Sequence, residues 1–242
     1  MRKYDVVYIL RANTKPDELR FSLRSIEKNM DHGKVWFYCG KPAGIEPDVY
    51  VPHEQKGASK WERVRSSLIQ VCKNEKISKQ FWLFNDDFYI MQPMQSAKNY
   101  HRGLLSDHIK DIEHRHCGGS TAYTRNLRIC ELQLREAGLT TLDYAIHVPM
   151  LVDREKMLEA LRMFPRCPMF RSIYGNYAQI GGDFIKDCKT TDQERIIVPE
   201  DPFFSTSNRA FAGKVREQME ALFPDSCKYE EGFVDDQCDS SV

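Results

Sequence analysis

Phe81-Trp82-Leu83-Phe84-Asn85-Asp86-Asp87-Phe88-Tyr89-Ile90-Met91 is a short apolar run that ends in an amide and two adjacent carboxylates, with a second apolar run at once behind them. The first run is aromatic-rich and too short for a typical helix, so it reads as a buried strand. Asp86 and Asp87 then follow its carboxyl end, the side of an α/β sheet where ligands bind. Two adjacent carboxylates raise each other's pKa and are costly to hold together without a cation. A hard divalent ion bridging to substrate phosphates accounts for the pair. The alternative is a polar turn between two hairpin strands, with both Asp side chains solvated.

The same kind of reading extends to either side. Asp5-Val6-Val7-Tyr8-Ile9-Leu10 is apolar almost throughout and reads as a central strand. Arg11 to Pro16 leaves it as a loop, and Asp17 is placed to cap a helix carrying Leu19, Leu23, Ile26 and Met30 at helical spacing. Strands follow at Val35–Cys39 and Asp48–Val51. After Ser59 comes a helix with Trp61, Val64, Leu68 and Cys72 on one face, leading into the strand at 81–84. This alternation predicts an α/β layer fold around a mostly parallel sheet.

Beyond Pro93, residues 95–118 are polar and His-rich. Thr121 to Ala137 reads as a helix with Leu127, Cys130 and Leu134 on one stripe, stopped by Gly138. Tyr144–Val148 has the look of a short strand, and Asp153 that of a cap for a helix over Arg154–Arg162. Residues 166–195 read as an ordered active-site loop region, Ile196–Val198 as a strand and Arg209–Leu222 as a final helix. The acidic stretch from Glu230 reads as a frayed tail. The expected organisation is one domain over 1–242, in two halves at 1–94 and 95–229 with the tail at 230–242.

The chain has 242 residues with 35 basic and 35 acidic side chains, so no global basic field points to nucleic acid. The eight Cys (Cys39, Cys72, Cys117, Cys130, Cys167, Cys188, Cys227 and Cys238) contain no CxxC pair; most lie among apolar neighbours, as reduced buried thiols do, and the even count permits disulfides that the spacing does not demand. No signal-peptide core and no membrane-spanning run is visible, which leads to the expectation of a cytoplasmic protein. His101, His108, His114, His116 and Cys117 match no zinc spacing. Arg20 and Arg24 share a helix face and, with Arg11, are expected to form a phosphate-facing cluster. His147, before Val148-Pro149, is the candidate general base, against the alternative of a hydrogen-bonded structural histidine. Arg171 is the candidate to hold a phosphate, and Asn176 to bond a sugar hydroxyl or the base. Gly181-Gly182-Asp183 permits close backbone approach, without the sequence of a Walker or Rossmann fingerprint.

In their order along the chain these motifs resemble the Stealth family of sugar-phosphate transferases, which includes bacterial capsular polysaccharide phosphotransferases. Four blocks carry the likeness. Tyr4-Asp5-Val6-Val7-Tyr8 resembles the opening strand, with Ile9-Leu10-Arg11 where the family usually has Thr-Trp-Val. Glu18-Leu19-Arg20-Phe21-Ser22-Leu23-Arg24-Ser25-Ile26-Glu27-Lys28-Asn29, together with Phe84-Asn85-Asp86-Asp87, is similar to the second block. His147-Val148-Pro149 through Arg171 to Asn176 resembles the third. Phe203-Phe204-Ser205-Thr206-Ser207-Asn208 and Leu222-Phe223-Pro224-Asp225-Ser226-Cys227-Lys228-Tyr229-Glu230 resemble the fourth, with Ser207-Asn208 in place of a common Asn-Asp pair.

The resemblance implies a nucleotide-diphosphosugar transferase fold of the glycosyltransferase A type, a three-layer α/β/α sandwich. It implies that Asp86 and Asp87 hold Mg²⁺ or Mn²⁺ against the diphosphate of a uridine- or cytidine-type sugar donor. Asn85, Asn176, Asn208 and the Arg residues would bind substrate, and His147, Asp87 and Arg171 would carry the chemistry. The reaction implied is transfer of sugar-1-phosphate to a hydroxyl of a carbohydrate or other acceptor. The alternatives are transfer of the sugar itself, to a glycan, a protein or a modified DNA base, and a non-catalytic nucleotide-sugar-binding module.

Overall fold

A computed structural model describes residues 3–231. In chain order the elements are β1 (Asp5–Leu10), α1 (Pro16–Asn29), β2 (Val35–Cys39), β3 (Val49–Val51), α2 (Lys60–Lys73), β4 (Gln80–Phe84), β5 (Phe88–Ile90) and β6 (Tyr100–His101). Then come α3 (Leu105–Arg115), α4 (Ala122–Glu136), β7 (Met150–Asp153), α5 (Arg154–Met163), α6 (Phe170–Tyr177), β8 (Asp183–Phe184) and β9 (Lys189–Thr190). The last are β10 (Phe203–Thr206), α7 (Asn208–Ala210), a π-helical turn (Phe211–Val215) and α8 (Arg216–Leu222). The fold is mixed α/β with a mostly parallel central sheet, as the alternation of elements implied. Among the described residues, no helix is long and apolar enough to cross a membrane.

The chain divides into two compact units. The first gathers three separated segments, Met1–His53, Phe84–Gln95 and Cys188 onward; the second holds Glu54–Leu83 and Ser96–Asp187. In the first unit β1 pairs parallel with β2, Val6 opposite Val35, and β2 pairs parallel with β3, Trp36 opposite Val49. Val6, Val7, Tyr8 and Leu10 are all buried, which is why β1 lacks the polar alternation of a half-exposed strand. A second sheet of this unit has the order β5-β10-β9, with β5 antiparallel and β9 parallel to β10.

α1 joins the two sheets of the first unit. Its apolar Leu19, Leu23 and Ile26 are fully buried, and so are Ser22 and Ser25. The buried polar side chains complete the free edge of β5. Ser22 Oγ donates to the Phe88 carbonyl at 2.7 Å, Ser25 Oγ accepts from the Ile90 N–H at 3.0 Å, and Asn29 Nδ2 donates to the Ile90 carbonyl at 2.7 Å. Spacings of i, i+3 and i+7 put these three groups on one helix face, where they replace a missing strand partner. Thus β5 does not fold back on β4, as a hairpin around the two Asp residues requires: its strand partner is β10.

In the second unit β4 pairs antiparallel with β7, Gln80 opposite Asp153, and β6 pairs parallel with β8. Ser59 and Thr121 cap α2 and α4 with reciprocal capping boxes, and the Asp153 carboxylate caps α5 by accepting from Glu155 and Lys156 N–H groups.

Several expectations need correction. Asp17 lies inside the first turn of α1, where its charge suits the helix dipole, and the N-cap is Lys15 ahead of Pro16. Tyr144–Val148 is irregular and the strand comes later, at β7, because side chains rather than a neighbouring strand hold the earlier segment. Ile196–Val198 pairs with no strand: Ile196 is 65% exposed, and the pairing partner of β5 is β10. Residues 166–195 include a true helix, α6. The final helix is interrupted where Lys214 N–H donates to the Gln193 carbonyl, and a Cβ at Gly213 would lie 2.5 Å from that oxygen. Glu230 is buried and bonded rather than frayed, and the Glu231 N–H donates to the Gly44 carbonyl at 3.2 Å; the positions from 232 on lie outside the described residues.

Replacing Ser25 by Ala leaves the buried Ile90 N–H without an acceptor, a loss of about 1–3 kcal/mol. Thermal unfolding of Ser25→Ala is expected to show a midpoint lower by roughly 2–4 °C for each kcal/mol. An unchanged midpoint is the contrary result.

Candidate active site

The first unit holds the carboxylate pair. Asp86 and Asp87 form the turn between β4 and β5, which the Phe88 N–H closes on the Asn85 carbonyl at 3.3 Å. Asn85 itself is exposed. Lys189, the first residue of β9, places its Nζ 2.7 Å from Asp87 Oδ2, and Ser205 Oγ of β10 lies 3.4 Å from the same oxygen. The Asp87 side chain is only 13% exposed, so this ion pair is partly desolvated and less screened by solvent than a surface pair.

Among the described residues, no cation pairs as closely with Asp86. Burial first, and then the charge of Asp87, raise its carboxyl above the ordinary value, against a backbone hydrogen bond and the charges of Arg11 and Lys189. Glu18, in the first turn of α1, joins the same electrostatic neighbourhood. Its Oε1 accepts from Thr206 Oγ1 at 2.8 Å, and Thr206 Oγ1 is also 3.0 Å from the buried Tyr89 hydroxyl. Burial, with Asp86 and Asp87 adding to it, pushes the Glu18 carboxyl up to about 7 despite the hydrogen bond from Thr206 and the charge of Lys189. Three carboxylates, Glu18, Asp86 and Asp87, thus sense one another with Lys189 and Arg11 as the opposing charges. Neither Lys189 nor Glu18 was assigned a role from sequence; Glu18 stands within the second block, while Lys189 carried no local signal.

The expected arginine cluster separates. Arg11 stays exposed just beyond β1 and its charge reaches Asp86. Arg24 instead grips Glu230 with two parallel bonds, Nε–Oε1 at 2.7 Å and Nη2–Oε2 at 2.8 Å, and donates from Nη1 to the Phe223 carbonyl at 2.8 Å. Arg20 approaches the same carboxylate at 3.7 Å. A carboxylate of the chain itself takes the bidentate fork expected to hold a phosphate. Asn208 is exposed at the start of α7, where Ser207 supplies the cap.

The second unit holds His147. Its ring Nδ1 lies 3.0 and 3.1 Å from the two Asp187 oxygens, and its own N–H donates to Asp187 Oδ1 at 3.0 Å. Arg102 Nη1 stands 3.9 Å from Asp187 Oδ2. The segment leading to His147 is pinned from several sides. Asn176 Oδ1 accepts from Thr140 Oγ1 and the Leu142 N–H, and its Nδ2 donates to the Leu142 and Ser172 carbonyls. Asn176, expected to bond a sugar hydroxyl or the base, is thus a buried support of this segment. Arg171, the residue expected to hold a phosphate, donates from Nη2 to the Val148 carbonyl and so ties α6 to the residue after His147. Gly182, at φ +118°, does permit a close backbone approach, but the approach is to Asn99, whose carbonyl oxygen would lie 2.2 Å from a Cβ there. Asp183 is exposed and paired with Lys98.

No family model matches this chain, and no curated protein matches it. Among solved structures it is similar to the galactosyltransferase LgtC in complex with donor and acceptor sugar analogs, at 8% identity and TM-score 0.48 over 94% of this chain and 98% of that one. It is also similar to an active-site mutant of LgtC, at 8% identity and TM-score 0.41 over 74% and 71% of the two chains. The glycosyltransferase GlyE of Streptococcus pneumoniae TIGR4 follows at 8% identity and TM-score 0.37, over 93% of this chain and 50% of that one.

The raised Glu18 carboxyl has a defined consequence for stability. The native state keeps this proton up to about pH 7, whereas an unfolded glutamate ionises near 4.5, so the contribution is complete below pH 4.5 and is lost as pH rises to about 7. Glu18→Gln removes the ionisation and keeps an acceptor for Thr206. Its unfolding midpoint is expected to gain on the parent between about pH 4 and about pH 8; a pH-independent difference contradicts the assignment.

Proposed function

We propose that the chain is a metal-dependent transferase that takes a nucleotide-diphosphosugar donor and passes sugar-1-phosphate to an acceptor hydroxyl. The observation that carries this reading is the charge imbalance around Asp87: Glu18, Asp86 and Asp87 lie close enough to raise carboxyl pKa values, and Lys189 pairs with only one of them. Such an excess of hard oxygen charge suits Mg²⁺ or Mn²⁺. Among the described residues no three His, Cys, Asp or Glu side chains form a self-sufficient metal cage. Two carboxylates completed by donor phosphates are a common way of holding Mg²⁺, and Asp86 and Asp87 are the residues for it. When bound, the ion shields the diphosphate and the charge that grows on the leaving phosphate.

The order of the four sequence blocks supports the Stealth-type reaction and, with it, an A-type nucleotide-sugar fold. In this reading the acceptor oxygen attacks the β-phosphorus of the donor and forms the new P–O bond. The bond from that phosphorus to the bridging oxygen breaks, and its electron pair leaves with the nucleoside monophosphate. The acceptor proton passes to His147 Nε2. Arg11 supplies positive charge on the phosphate side. The donor is of uridine or cytidine type, the acceptor a carbohydrate hydroxyl, and the setting cytoplasmic.

Incubation with uridine and cytidine diphosphosugars, Mg²⁺ or Mn²⁺ and hydroxyl acceptors is expected to release nucleoside monophosphate. Asp86→Asn and Asp87→Asn are each expected to lower this turnover by about 10²-fold or more, the scale of losing one electrostatic contact to the transition state. Release of nucleoside diphosphate instead means that the sugar itself moves. Donor binding without turnover means a binding module, and undiminished turnover in both variants overturns the role of the carboxylates.

A further inference from the structure

We infer that Asp187 is a positioning residue that fixes the ring of His147 and places the proton of its neutral form on Nδ1. The inference rests on the reading of His147 as general base. The second unit contains two His–Asp pairs, and they differ in one decisive respect. His108 Nδ1 lies 2.5 Å from Asp143 Oδ2 with both side chains buried, at 4% and 0% exposure, which suits a structural tie. Asp143 Oδ1 also accepts from the Ala145 N–H and Ser172 Oγ, so this pair holds the segment that leads to His147. The His147 side chain is 31% exposed, so of the two imidazoles it is the one a substrate can reach.

Asp187 grips both parts of His147. One carboxylate accepts from the backbone N–H and from ring Nδ1, which restrains the main chain and the side-chain torsions together. An ionised carboxylate has no proton to donate, so the hydrogen of the Nδ1 bond must belong to the imidazole. The neutral ring then keeps its lone pair on Nε2, the form a general base needs. Arg102 stands 3.9 Å from the carboxylate, while the backbone bond from the Ile185 N–H to the His101 carbonyl and the β6–β8 pairing hold the strands that lead to Arg102 and Asp187. Burial works to raise the Asp187 pKa, but the hydrogen bonds and charge of His147, with Arg102, bring it down to about 2, so it stays charged in neutral solution. When Nε2 accepts a proton, the adjacent anion stabilises the imidazolium, the role of the carboxylate in a Ser-His-Asp triad.

Asparagine is nearly isosteric with aspartate and can donate to Nδ1, which favours the opposite tautomer. Long-range ¹H–¹⁵N NMR of the full chain, with the seven histidines labelled and His147 assigned through His147→Gln, reads the tautomer without any substrate. Nδ1 protonation of neutral His147 in the parent, and Nε2 protonation in Asp187→Asn, are the results expected. With a donor that is turned over, Asp187→Asn is expected to lower kcat by about 10²–10⁴-fold, the scale of lost general-base catalysis, at unchanged donor KM. Asp187→Glu is expected to restore part of kcat. A parent His147 protonated on Nε2, or Asp187→Asn at the parental kcat, overturns the inference. His147→Gln at the parental rate overturns the general-base reading itself, while the parent's tautomer still decides what Asp187 does to the ring.

Discussion

Three hydrogen bonds from α1 to the edge of β5 set the geometry of the first unit. β5 begins directly after Asp87, and one of its edges is taken by β10. The other edge has buried N–H and C=O groups that must find partners, since an orphaned backbone group costs as much as a lost hydrogen bond. Ser22, Ser25 and Asn29 supply those partners, and the Tyr8 hydroxyl meets Ser22 Oγ at 2.8 Å to tie β1 into the same network. With α1 fixed in register against β5, Glu18 in its first turn can reach Thr206 of β10. The closeness of Glu18 to the Asp86–Asp87 turn is therefore a consequence of buried serines, not of any attraction between carboxylates.

The charged groups of this unit fall into two kinds. Arg24 and Glu230 satisfy each other: Glu230 is held below its usual carboxylate range because the hydrogen bonds and charge of Arg24 outweigh its burial. Asp86 and Glu18 show the reverse, with burial and like charge dominant. A fold has no structural use for unrelieved repulsion, and perturbed carboxyls of this second kind cluster where a ligand or cation is to be bound. That difference separates Arg11, whose charge reaches Asp86, from Arg20 and Arg24, which the fold already uses on Glu230.

Strands and helices with strong period were legible: β1, β2, α2 and α4 have one apolar face or are apolar throughout, and caps at Ser59, Thr121 and Asp153 marked their helices. Short apolar runs misled, because Tyr144–Val148 and Ile196–Val198 have strand-like composition but meet no pairing partner, and partners are a tertiary property. The site was legible only where its residues adjoin in sequence. Asp86 and Asp87 announce themselves as a pair, whereas Lys189 lies 102 positions from Asp87 and Asp187 lies 40 from His147. The surroundings of Asn176 and Arg171 were not legible for a related reason. Polar residues among Gly and aromatics look the same in sequence whether they face a ligand or support a buried loop, and only the hydrogen-bond partners tell the two apart.

In the proposed metal-bound form, the proton on Glu18 and a cation at the Asp pair would answer the same excess of negative charge. Lys189 neutralises one carboxylate, and Thr206 offers Glu18 a hydrogen bond that favours the ionised form without outweighing burial and the neighbouring charges. Positive charge entering beside Asp86 and Asp87 lowers the cost of ionising Glu18, and loss of the Glu18 proton in turn favours the cation. Proton and cation would thus be linked by the same free energy in both directions. The coupling needs no moving part: it follows from placing a third carboxylate on a helix whose register the serines have already fixed.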